Sequence, residues 1–220
     1  MTNIVFVLFP GVTQLDMTGP AQVLSRLPGS NVQVAAKSLE PVATDCGFAL
    51  VPTTTFDDAL QADILCVPGG YGVTHAVRDE ATLAFVAQQA AGAKWVTSVC
   101  TGAFVLGRAG LLEGKRATTH WAYAHLLSLV GATHEPARVV EDGRTITAGG
   151  VTAGIDFALT LIAREAGEAT AQAIQLALEY DPHPPFACGN PADAGPQRVA
   201  ALKSRVYDEA AARMAEALGQ

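Results

Sequence analysis

The run WVTSVCTGAFVLG, Trp95 to Gly107, drives β-branched residues straight into a cysteine and turns helical with no loop between. A residue on so tight a strand-to-helix corner sits exposed at the top of a sheet in a strained backbone conformation, the geometry of a nucleophile elbow. Cys100 therefore reads as an activated nucleophile, flanked by the small residues Ser98 and Gly102, with helix-start N–H groups favouring thiolate over thiol. Asp16, in FPGVTQLDMTG, follows an apolar run. Standing alone it is a helix cap or first-turn acid; placed beside Cys100 and withdrawn from water, its pKa would rise until it holds or donates a proton at neutral pH. Gly69 and Gly70 end another apolar run, and glycine lets backbone N–H groups approach a ligand. The N–H groups of Gly70 and Thr101 would make an oxyanion-hole-like pair, or Pro-Gly-Gly simply turns the chain. His120, in ATTHW, is the competing base for a Cys–His pair, or a helix cap. Thr101 directly follows the cysteine, so no histidine adjoins the thiol in sequence.

The other candidates carry less. Cys66, inside DILCVP, reads as an inert core residue, and Cys46 and Cys188 as chemically silent. The four cysteines stand far apart without a CxxC pair, which points to neither a disulfide framework nor a zinc site; no metal is expected. His75, His125, His134 and His183 read as solvated.

Positioning these groups requires a sheet. NIVFVLF, NVQVAAK, ADILCV and KWVTSV are short apolar runs of the kind found in strands covered on both faces. Between them lie helical patterns: DMTGPAQVLSRL, with Thr18 as cap and Pro20 in the first turn, EATLAFVAQQAAGA and TGAFVLGRAGLL. Pro41 to Thr55 reads as irregular strands or a hairpin. KRATTH is a short strand, WAYAHLLSLVGA a helix, and RVVEDGRTITAGG a hairpin turning at Asp142-Gly143. Two helices follow, TAGIDFALTLIAREAG and EATAQAIQLALEY, then a Pro-rich loop over 181–196 and a terminal helix at about 197–217. Alternation of this kind predicts one α/β domain over 1–220, a mostly parallel sheet with helices on both faces. Ligands bind outside the carboxyl ends of such strands, which selects the stretches holding Asp16, Gly69-Gly70 and Cys100.

Composition narrows the class. The chain has 220 residues, half of them hydrophobic, and a net charge of −7, which offers no basic footprint for nucleic acid. The N-terminus lacks a positively charged leader region, and no apolar run approaches the roughly 20 residues of a membrane span, so a cytoplasmic protein is expected.

Long stretches matching in order, among them QLDMTGP, DILCVPGG, SVCTGAFVLGRAGLLEGKRATTHWAY, GGVTAGIDFALTL and QLALEYDPHPPF, resemble the ThiJ/PfpI superfamily and, within it, bacterial isocyanide hydratases. The resemblance implies a flavodoxin-like sandwich, a homodimer, a Cys100 nucleophile, and an essential Asp16 carboxyl with Thr101 beside the thiol. It also implies hydration of an isocyanide to an N-substituted formamide through a covalent thioimidate, with no cofactor, and makes Val151 and Trp121 pocket walls. Protease-like members carry histidine after the cysteine; Thr101 here weakens a peptidase reading. Two other classes stay open: a hydrolase or glyoxalase using Cys100 with His120, and a thiol redox sensor.

Overall fold

In the computed structural model, which describes residues 1–219, the chain runs β1 (Thr2–Val7), α1 (Gln14–Leu24), β2 (Ser30–Ala36), β3 (Val42–Ala43), β4 (Ala49–Leu50), β5 (Thr54–Thr55), β6 (Ile64–Val67), α2 (Val73–Ala76), α3 (Glu80–Gly92), β7 (Trp95–Val99), α4 (Gly102–Arg108) and β8 (Arg116–Ala117). A 3-10 helix over Trp121–Val130 leads to β9 (Thr133–His134), β10 (Val139–Asp142), β11 (Thr145–Ala148), α5 (Ala153–Ala166) and α6 (Glu168–Ala177). The remainder is α7 (Pro191–Ala194), α8 (Pro196–Leu202), a π-helical turn over Lys203–Tyr207, and α9 (Asp208–Leu218). Seven strands form the main sheet in the order β10-β11-β7-β6-β1-β2-β5, parallel except for the β10–β11 hairpin at one edge. This is the mostly parallel, flavodoxin-like arrangement expected.

The apolar runs explain the sheet. β1 lies between β6 and β2, and Ile4 to Val7 are buried because helices cover both faces of the sheet. On one side α1 packs on α5 and α5 on α6, while α3 packs against α4. The α1–α5 crossing is close because it uses glycine: a Cβ on Gly154 would stand 3.0 Å from Pro20 Cδ. Phe6, Phe104 and Phe157 are wholly buried, and truncating any of them to Ala would cost about 3–5 kcal/mol.

Four expectations need correction. α1 starts at Gln14 behind Thr13, so Thr18 is no cap, Asp16 lies within the first turn, and Pro20 sits mid-helix. Proline there cannot donate to the Asp16 carbonyl, and its packing against α5 holds the helix together where the hydrogen bond is missing. WAYAHLLSLV is a 3-10 rather than an α-helix, and the terminal helix is interrupted by the π turn. The hairpin turns on Gly143-Arg144, one residue later than expected, with Gly143 at φ +62°.

Candidate active site

The elbow forms as its sequence demands. Cys100 has φ +56°, a left-handed conformation that a non-glycine residue keeps only when its surroundings fix it. Here they do. Its N–H donates to the carbonyls of Ala148 and Gly149, at 3.0 and 2.8 Å, and its carbonyl accepts from the Thr119 hydroxyl at 2.7 Å. The end of β11 and the segment after β8 thus hold both faces of the Cys100 backbone. The Gly102 position must be bare for the corner to close, since a Cβ there would stand 2.2 Å from the Val67 carbonyl oxygen.

Around the thiol the topology assembles three strand ends. From the stretch after β1, Asp16 accepts from Gly69 N–H on Oδ2 at 2.9 Å, and it lies within hydrogen-bonding reach of the Cys100 thiol. From the stretch after β6, Gly70 N–H donates to Thr101 Oγ1 at 3.0 Å, and that hydroxyl lies 3.3 Å from the Gly70 carbonyl oxygen. The two glycines are committed to Asp16 and Thr101, so the Gly70 amide is not the free oxyanion donor expected from sequence. Gly69 allows this contact: a Cβ would lie 2.6 Å from Thr101 N and 2.8 Å from Asp16 Oδ2.

Electrostatics invert one expectation. Burial, with the Asp16 carboxylate added, holds the Cys100 thiol well above its ordinary value, although the Thr101 amide and hydroxyl pull it down. Desolvation outweighs the short helix that follows, and thiolate is not favoured at rest. Burial also pushes Asp16 from 3.8 to about 7 against the Gly69 and Cys100 hydrogen bonds, with a smaller push from Asp45. Asp16 Oδ1 is buried without a hydrogen-bond partner, which leaves one carboxyl oxygen free for a mobile proton. Near neutral pH the thiol therefore keeps its proton while the carboxyl beside it titrates.

His120 belongs to a different cluster. Its Nδ1 accepts from Ala122 N–H at 3.4 Å, and its ring packs against Trp121, Tyr123 and Tyr207. Burial pulls it down to about 4, so it is a neutral imidazole whose conjugate acid is too strong to hold a thiol's proton. A cavity of about 310 Å³ opens at Gly70, whose N–H holds the Thr101 hydroxyl; its lining also includes Arg78, Arg213, Glu216, Tyr123, Ala210 and Met214. The sequence reading missed these last three side chains. Neither Val151 nor Trp121 is among its walls: the Trp121 ring meets Tyr207 edge-on at 5.4 Å, where the terminal segment covers it. Cys66 is buried and bonded to the Thr97 hydroxyl, as an inert core cysteine would be.

A sheet of this topology with a strained cysteine corner at its carboxyl edge defines a class, and the family comparison agrees. The chain belongs to the DJ-1/PfpI family, which matches residues 2–164. Within it, the chain is 54% identical over 213 residues to isonitrile hydratase of Pseudomonas putida, covering 97% of this chain and 90% of that one. A ThiJ/PfpI family protein from Pseudomonas syringae superposes with a TM-score of 0.95 at 40% identity, over 100% of this chain and 91% of that one. A DJ-1 superfamily protein from Salmonella typhimurium gives 0.71 at 30% identity, over 83% of this chain and 100% of its own. Among the described residues no helix is long and apolar enough to cross a membrane.

Proposed function

We propose that this protein is a hydro-lyase that adds water to an isocyanide, a functional group also called isonitrile, to give an N-substituted formamide. The Asp16–Cys100 pair and its shared proton carry the reading, supported by the similarity to the Pseudomonas putida enzyme across nearly the whole chain. In the first step Cys100 Sγ bonds to the terminal carbon of R–N≡C as Asp16 delivers the pair's proton to that carbon, giving R–N=CH–S–Cys100. The Thr101 hydroxyl turns from the Gly70 carbonyl toward the sulfur as negative charge develops there. In the second step the Asp16 carboxylate takes a proton from water, hydroxide adds to the thioimidate carbon, and the proton passes to nitrogen. The tetrahedral adduct R–NH–CH(OH)–S then loses its hydroxyl proton and breaks its C–S bond, releasing R–NH–CHO and returning the proton to the pair. A neutral His120 leaves the Cys–His alternative without a base of adequate strength. The protein acts in the cytoplasm as a homodimer, and light scattering at twice the 22.8 kDa chain mass is the expected result.

The test is absorbance-monitored conversion of phenyl isocyanide to formanilide by wild type, Cys100→Ala and Asp16→Asn. Turnover by wild type and loss in both variants is expected. A well-folded wild type without turnover would sink the reading. An Asp16→Asn variant that keeps its rate would remove the carboxyl from the mechanism.

A further inference from the structure

We propose that α9 builds the wall of the substrate cavity that limits the size of the R group, and that it selects a compact one. The inference rests on the isocyanide reading and extends it to substrate class.

The cavity adjoins the reacting atoms. Gly70, one of its walls, donates its N–H to Thr101 Oγ1, and the Tyr123 ring at another wall is close enough to Cys100 for a charge on sulfur to raise its phenol. The facing wall is supplied by Ala210 and Met214, one turn apart on α9 and both buried. These residues lie well beyond residue 164, where the family match ends, while helix α9 itself packs on the 3-10 helix that carries Tyr123. The wall is therefore added to the shared core, where members of one family can differ in substrate without altering the nucleophile corner.

Size follows from the lining. α9 lines the cavity with a methyl group and a thioether but also with Arg213 and Glu216, and Thr74, His75 and Arg78 stand on other walls, so the apolar pair on α9 selects by size rather than by charge. The volume of about 310 Å³ stands at the lower end of the roughly 300–1,000 Å³ of small-molecule sites. A single ring fits that space together with the linear isocyano group.

The test compares kcat/KM for methyl, phenyl and 2-naphthyl isocyanide in wild type, Ala210→Leu and Met214→Ala, each checked for unaltered thermal unfolding. Ala210→Leu should lower the phenyl-to-methyl ratio, and Met214→Ala raise the naphthyl-to-phenyl ratio, each by about tenfold. Alkylation of Cys100 by iodoacetamide and by N-phenylmaleimide, followed by mass spectrometry, reads the same wall without turnover: Ala210→Leu should slow the bulky reagent about tenfold relative to the small one. Should wild type hydrate no isocyanide, the functional reading fails and the alkylation ratio alone decides the wall. Ratios unmoved in both folded variants overturn the assignment to α9, whichever readout supplies them.

Discussion

Asp16→Asn should make the protein more stable at neutral and alkaline pH while destroying its activity. In the folded state burial raises the carboxyl from 3.8 to about 7, so folding opposes its ionisation. Below pH 3.8 the group is protonated in both states and contributes no difference. As pH rises toward 7 the unfolded chain loses the proton while the folded chain keeps it, so stability falls steadily and then levels off above pH 7. Each pKa unit is worth about 1.4 kcal/mol, so the full penalty is about 4 kcal/mol, of which about 3 kcal/mol develops between pH 5 and pH 8. At 1% exposure, solvent screening takes little from it. Asparagine has no such proton to lose, and its amide oxygen can still accept from Gly69 N–H. Urea unfolding of both proteins at pH 5 and pH 8 checks this. The variant's advantage should grow by about 3 kcal/mol on going to the higher pH, because titrations common to both proteins cancel in the difference. An advantage equal at the two pH values would refute the claim that burial, rather than a compensating hydrogen bond, governs Asp16.

Other substitutions probe the rest of the cluster. Thr101→Val removes the hydroxyl bonded to Gly70 and should lower kcat about a hundredfold with a smaller change in KM, read by steady-state kinetics. Gly69→Ala drives a methyl against Thr101 N and Asp16 Oδ2, and should cost at least about a hundredfold in kcat/KM while circular dichroism shows a folded chain. Loss of a true general base costs about 10²–10⁴-fold, so His120→Ala should fall short of that range, and a loss within it would favour the Cys–His mechanism. Iodoacetamide should alkylate Cys100 slowly at pH 7 and faster as pH rises past the ordinary thiol range; Asp16→Asn should speed the reaction at pH 8, since the carboxylate charge that raises the thiol is gone.

What the sequence disclosed and what it hid divide along the range of the forces involved. The apolar run of β1 and the Cys100 corner are written locally, in residue types that only a doubly covered strand and a tight turn accommodate. Asp16 became legible once three strand ends were placed at one edge of the sheet, a consequence of parallel topology. The charge state at Cys100 was hidden, because the start of α4 argues for thiolate and burial argues against it, and burial depends on chain segments far away in sequence. α9 was hidden differently: its alternation of alanines with charged residues shows that one face packs, but not that the face lines the cavity that opens at Gly70. Pro20 misled because proline favours a first turn by preference alone, whereas here packing against Gly154 tolerates it seven residues into α1.

The inverted charge state also suits the proposed chemistry better than an ionised Cys–His pair. A neutral isocyanide must gain a proton and a nucleophile at the same carbon. An ion pair supplies both but holds its proton on an imidazolium, and His120 is buried where that cation is disfavoured, with its ring packed among aromatic side chains. The Asp16–Cys100 pair keeps nucleophile and proton together on two acidic groups, with a net charge of −1 when one proton is shared. Transferring that proton to carbon leaves one carboxylate and a neutral thioether, so the net charge of −1 is unchanged across the step, and the Gly69 N–H already faces that carboxylate. On this argument wild-type kcat/KM should rise with a midpoint near pH 7, as Asp16 ionises and the singly protonated pair forms, and fall only well above the ordinary thiol range, where the pair's last proton leaves; replacing Asp16 should abolish the rise near pH 7 with the activity.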